Sequence, residues 1–341
     1  MSIGLEAEKF SAAQVAPEFF EGERQDIALR EAREVITMTG DDGQRIAGLH
    51  FNRDFAGNLG IVRLGAMFDD LHGVDLRYIG YQLAAANPEN PVLVMGLPAH
   101  WGSDALTDAQ RKEIRTDRGL TLVAHSQAKA AGPRLGDSDR FVGVGQSTGG
   151  RLVSDFAFVA GEAGLKAEAM VGFNPVGLDK RPSFSTFANF VVDGELGQRA
   201  YHQGADNLKL DAGLERFQKE MAGSGFERPH DALANAVGIF RQDPSYFGFL
   251  VAQSPLSADS GFEAIARSLD ANPDMVAAFV SGGLDKVTRW ARIEPRVRRL
   301  VEDYDGRLSW DVWPDGHSMG ISTQQPRFAA AIREVIGSLE A

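Results

Sequence analysis

The sequence contains no cysteine, which excludes disulfides, a thiolate nucleophile, and any zinc or iron–sulfur site held by sulfur. It is also short of positive charge, with 35 Lys and Arg against 47 Asp and Glu for a net charge of −12. Nucleic acid and anionic membrane surfaces both need a basic footprint, so neither is expected as a partner. No stretch of 18 uninterrupted apolar residues occurs, so no membrane span is expected. The opening MSIGLEAEKFSAAQVAPEFFEGE is acidic and lacks a basic start followed by an apolar run, so it does not read as a signal peptide. A soluble, cytoplasmic protein is the expectation. There is no internal repeat, no low-complexity tract, and no P-loop, H-E-x-x-H or EF-hand motif.

What is present is ordinary globular composition: 341 residues, 43% hydrophobic and 24% charged. Length suggests one large domain or a core carrying a sizeable insertion. After a leading segment of about 25 residues, EVITMTGDDGQRIAGLHF (34–51) reads as two strands around Asp41-Asp42-Gly43, whose turn chemistry favours a hairpin. Strand and helix then alternate: strands at 60–64, 91–95, 140–145, 167–173, 275–280 and 308–313, with helices at 76–86, 107–131, 149–163, 262–269, 287–304 and 326–339. Short apolar strands separated by helices predict a parallel sheet covered on both faces. The rhythm breaks at Asn174-Pro175. About 80 residues follow that are rich in phenylalanine (Phe184, Phe187, Phe190, Phe217, Phe226, Phe240, Phe247, Phe249) and show no clear strand. Residues 1–174 and 258–341 therefore read as a core, and 175–257 as a helical insertion.

The pentapeptide Gly145-Gln146-Ser147-Thr148-Gly149 has the form G-x-S-x-G, between an apolar strand and a helical segment. Small flanking residues let the chain turn sharply and leave the serine exposed on a strained bend. The bland alternative is a glycine-rich turn. A serine hydroxyl needs a base, and the base an orienting acid. Among seven histidines, His317 is the one in a loop just after the last strand and before the last helix, in Trp313-Pro-Asp-Gly-His-Ser-Met-Gly320. For the acid, strand 275–280 runs into Ser-Gly-Gly-Leu-Asp285, a carboxylate on a glycine turn at a strand's C-terminal end, where functional groups gather in α/β sheets. Asp285 could equally be a turn aspartate capping the next helix. Asp179 is the second candidate.

Gly143-x-Gly145-x-x-x-Gly149 loosely matches a dinucleotide fingerprint. It lies in mid-chain, and no acidic residue ends the following strand, so no nicotinamide cofactor is expected. The basic run Arg289–Arg299 reads as a solvated helix face.

The order Ser147…Asp285…His317 is that of the α/β-hydrolase superfamily, which the chain resembles from about residue 33 to its end. Leu64-Gly65-Ala66 matches the family's oxyanion turn after the third strand, with Leu64 where a histidine is usual. Gly96–Asp104 matches the turn after the fourth strand without its leading aspartate. Gly282-Gly-Leu-Asp285 matches the acid-bearing G-x-x-D. The resemblance implies a mostly parallel eight-stranded sheet flanked by helices, a helical cap after strand six, and an oxyanion hole from the amides of Ala66 and Thr148. It implies no metal or organic cofactor. The activity implied is acyl-enzyme hydrolysis of a small-molecule carboxylic ester or related acyl compound. Acyl transfer, thioester cleavage, cofactor-free haloperoxidase-like chemistry, C–C hydrolysis and a non-catalytic binding role use the same scaffold, and a homo-oligomer is left open.

Overall fold

The computed structural model describes residues 3–11, 15, 23–54, 57–66, 74–100, 102–113, 116–135, 138–179, 189, 208–222, 238–244, 258–316 and 325–340. An eight-stranded sheet is built from β1 (Ile36–Thr39), β2 (Arg45–Phe51), β3 (Leu59–Leu64), β4 (Val92–Met95), β5 (Arg140–Gln146), β6 (Lys166–Phe173), β7 (Val276–Gly282) and β8 (Leu308–Trp313). Their spatial order is β1-β2-β4-β3-β5-β6-β7-β8. β2 runs antiparallel to both its neighbours and every other pairing is parallel.

The first hairpin turns where its sequence predicts. Asp42 and Gly43 take φ of 51° and 74°, a left-handed pair that Asp and Gly tolerate, and the Gly40 amide donates to Gln44 O at 2.8 Å. The helices bounded among the described residues are α1 (Glu23–Arg33), α2 (Val74–Ala86), α3 (Asp108–Glu113), α4 (Asp117–Ala131), α5 (Thr148–Val159), α6 (Leu208–Met221), α7 (Ala258–Ala271), α8 (Trp290–Asp303) and α9 (Gln325–Glu340). One expectation fails. The helix predicted over 107–131 is two helices, because Thr116 takes an extended conformation (φ −115°, ψ 168°). Its hydroxyl donates to Glu113 O at 2.8 Å, which gives the chain a local bond that competes with a continuous helix.

Side chains alternate across the sheet and divide the core into two clusters. Val62, Phe141, Met170, Phe279 and Leu308 pack against α4, α5, α7 and α8. Ile61, Val142, Val171, Val280 and Trp313 pack against α1, α2 and α9. This is the period-2 pattern of a sheet buried on both faces.

The described parts of the 175–257 segment contain no strand. They anchor on opposite faces. Phe217 of α6 lies 5.3 Å from Tyr78 and 5.1 Å from Tyr81 of α2, ring to ring, and Arg33 donates to Glu220 O at 2.6 Å. On the other face Ile239 is buried beside Leu106, whose amide donates to the Asp243 carboxylate at 3.1 Å, and Gln242 donates to Ser103 O at 2.7 Å.

Residues 3–11 of the leading segment pack onto the sheet. The Leu5 amide donates to Asp311 at 2.5 Å and Trp313 donates to Leu5 O at 2.8 Å, so residues 3–11 lie across β8 beside α9. Among the described residues no helix is long and apolar enough to cross a membrane.

Candidate active site

Ser147 sits on the single-residue bend between β5 and α5, with φ 53° and ψ −118°. A non-glycine residue held there costs about 1–3 kcal/mol and persists only where its surroundings fix it. They do so through the backbone. The Ser147 amide donates to Phe173 O at 2.9 Å, and its carbonyl accepts from Arg151 at 3.1 Å.

The glycines of the pentapeptide are there because their neighbours leave no room. A Cβ on Gly145 would lie 2.1 Å from Gly149 O, and one on Gly149 would lie 2.4 Å from Leu64 O and 2.9 Å from Gly65 O. The second pair of distances also locates the oxyanion candidates. The start of α5, which carries Thr148, packs directly on the backbone leaving β3, which carries Ala66. Both residues are buried, and the Gly65 amide is held by Met95 O at 2.9 Å.

Behind the bend α5 carries a buried ion network. Arg151 pairs with Asp155, which also accepts from Arg267 at 2.8 Å and from Thr121 Oγ1 at 2.9 Å. Removing one member of such a pair typically costs about 3–5 kcal/mol, so this end of α5 is firmly held.

Asp285 lies three residues beyond β7 and is 4% exposed. Its Oδ1 accepts the amides of Val287 at 2.6 Å and Thr288 at 2.9 Å. This turn orients the carboxylate and leaves α8 uncapped by it, since the N-cap of α8 is Arg289. The helix-capping alternative therefore does not account for Asp285. Asp179 is buried also, but faces Arg292 of α8 at 3.6 Å.

The loop leading to His317 is described as far as Gly316, and His317 itself lies outside the described residues. Residues 313–316 lie against the acid loop. The Gly283 amide donates to Trp313 O at 2.7 Å and the Leu284 amide to Asp315 O at 3.0 Å. A Cβ on Gly282 would lie 2.3 Å from Asp315 O. Arg327 of α9 donates to the Asp315 carboxylate at 2.9 Å and stacks 4.4 Å from the Trp313 ring centre.

These residues follow the carboxyl ends of parallel strands of one sheet: Ala66 after β3, Ser147 after β5, Asp285 after β7, and residues 314–316 after β8. In the fourth-strand turn, Asp104 serves structure, accepting from Arg45 Nε at 2.9 Å and Nη2 at 2.7 Å. Three residues escaped the sequence reading: Asn174, Asp315 and Arg327. Asn174 alone left a trace, as the point where the strand–helix rhythm breaks. Among the described residues no group of three His, Asp or Glu side chains could hold a metal ion.

The strand order, the antiparallel second strand and the serine bend between the fifth strand and its helix define the α/β-hydrolase fold, and the chain has that fold. Solved structures agree. The chain is similar to an esterase from Pyrococcus furiosus at 12% identity, covering 96% of this chain and 98% of that one, with a TM-score of 0.57. A serine hydrolase involved in carbazole degradation matches at 16% identity, covering 89% and 100%, with a TM-score of 0.55. An α/β hydrolase from Novosphingobium aromaticivorans matches at 19% identity, covering 90% and 97%, with a TM-score of 0.53. No protein-family model and no curated protein matches the sequence.

Proposed function

We propose that the protein is a serine hydrolase that cleaves a carboxylic ester or related small acyl compound through an acyl-enzyme. The observation that carries this reading is the left-handed Ser147 on a bend whose flanking glycines admit no side chain. The bend lies at the carboxyl edge of the sheet, where ligands bind in open α/β folds. The esterase and serine-hydrolase neighbours support the same chemistry.

In this mechanism Ser147 Oγ attacks the acyl carbon while the His317 imidazole takes its proton. Asp285 holds the imidazole in its working tautomer and stabilises its cation. The charge on the tetrahedral oxygen meets the amides of Ala66 and Thr148. Losing one donor of this kind typically costs about 2.7–4 kcal/mol. The imidazolium returns the proton to the leaving group, and water then releases the acid.

Residues 175–257 act as a cap. Support comes from α6 and residues 238–244, which fasten this segment to opposite faces of the sheet. Phe217 packs on α2; Phe184, Phe187, Phe190, Phe226, Phe247 and Phe249 lie outside the described residues and are proposed as an apolar wall, against which each buried methylene of substrate would contribute up to about 0.8 kcal/mol.

Kinetics on a series of p-nitrophenyl esters tests this reading. The kcat/KM should rise with acyl length to an optimum and then fall, and Ser147→Ala should abolish turnover. Turnover retained by Ser147→Ala would overturn the nucleophile; a flat length profile would overturn the cap's part in selectivity.

A further inference from the structure

Asp285 and His317 belong to loops that leave different strands, and an acid can orient a base only if those loops keep one spacing. The residue that meets both loops comes from a third strand. Asn174 follows β6 directly, is fully buried, and takes the left-handed conformation with φ 46°. Its backbone amide continues the β6–β7 ladder by donating to Val280 O at 2.7 Å.

Its side chain then points both ways. Oδ1 accepts the amide of Gly282, at the root of the acid loop, at 2.5 Å. Nδ2 donates to the carbonyl of Gly316, the residue immediately before His317 in the chain, at 2.8 Å. Only a carboxamide offers an acceptor and a donor across this span, and Asn is the carboxamide that tolerates φ > 0. The approach it spans is tight, since Gly282 has no room for a Cβ against Asp315 O.

We propose that Asn174 is a positioning residue that fixes the acid loop and the base loop in one frame, and so sets the alignment of His317 with Asp285. This rests on the triad reading above. It acts through the two loops.

Asn174→Gly in the full chain tests it, because glycine keeps the backbone conformation and the charge while deleting the side-chain bonds to Gly282 and Gly316. Active sites are first counted by fluorophosphonate titration, then kcat, KM and the pH profile of kcat/KM are measured on a short p-nitrophenyl ester. A misaligned base should lower kcat per active site by on the order of tenfold to a hundredfold with KM little changed. Weaker coupling to Asp285 stabilises the imidazolium less, so the acidic limb of the profile should move to lower pH.

A fall in the titrated fraction alone, with per-site kcat and pH profile unchanged, would overturn the proposal and leave Asn174 a structural residue. If Asn174→Gly does not fold, Asn174→Asp decides by per-site kcat. It keeps shape and the acceptor for Gly282 but, once ionised, offers Gly316 no donor, so the same loss is expected at pH above the titration of this buried carboxyl, and turnover unchanged across the whole pH range overturns the proposal. A wild type that the fluorophosphonate leaves unlabelled at Ser147 would instead overturn the triad reading and this proposal with it.

Discussion

Asp285 and Asp179 are both buried carboxylates beyond the carboxyl ends of parallel strands, yet they keep different company. Asp179 faces a guanidinium from α8, an arrangement that ties a loop to a helix. Asp285 has one oxygen bonded to two amides of its own turn, and its loop is bonded residue by residue to the loop that leads to His317. The two should respond differently to neutralisation. Asp285→Asn should lose on the order of 10⁴ in kcat, as expected for the orienting acid of a serine triad. Asp179→Asn should keep most of its activity and lose a little thermal stability. The opposite ranking in kcat would move the acid to the loop after β6. The bend at Ser147 was legible in the sequence because its requirement is local: a turn too tight for side chains on either side demands glycines at fixed spacing. Asn174 was not, because its partners, Gly282 and Gly316, lie more than a hundred residues away and impose no spacing on the chain around it.

The serine bend is an element that should fail by steric contact. Gly149→Ala drives a Cβ into the backbone leaving β3 and should cost about 1–3 kcal/mol in denaturant melts, with loss of activity. Gly337→Ala, in α9 with open space around it, should instead stabilise by about 0.5–1 kcal/mol. Equal effects would show that the bend can relax.

A second device fastens the first hairpin to the sheet's helical cover. His125 of α4 meets Asp41 of the hairpin turn at 2.5 Å and Glu162 after α5 at 3.1 Å, with Lys129 also 3.3 Å from Asp41. The hydrogen bond to Asp41 is the largest cause that raises the His125 pKa above its usual 6.5. Its stabilisation is therefore fully present below the unfolded value and is lost as pH rises through the folded value. Wild type should exceed His125→Gln in Tm by more at about pH 5.5 than at about pH 9. A Tm difference that does not vary with pH would remove His125 from the account. This contact joins residues 41, 125 and 162. Strand periodicity showed the strands they flank, but nothing in the sequence showed that the three would meet.

At the scale of the whole molecule, alternating apolar strands and helices made the layered sheet legible, and the break in that rhythm at Asn174 coincides with the end of β6. The division of the 107–131 helix was not legible, since the apolar spacing continues across Thr116, whose extended conformation and bonds back to Glu113 are local features that spacing does not show. Nor was the position of residues 3–11, whose place across β8 depends on Asp311 and Trp313, some 300 residues on. That segment reaches the candidate site indirectly: Arg327, which holds the Asp315 carboxylate, also donates to Phe10 O at 2.5 Å. The molecule thus braces the loop before His317 from three directions, while its serine is held by the sheet. The central claim is that this frame makes the Ser147 hydroxyl nucleophilic. The most direct test is to treat the intact protein with a fluorophosphonate and locate the adduct by peptide mass spectrometry. One equivalent on Ser147, absent in Ser147→Ala and in His317→Ala, is the predicted result; no adduct, or an adduct on another residue that persists in Ser147→Ala, would contradict it.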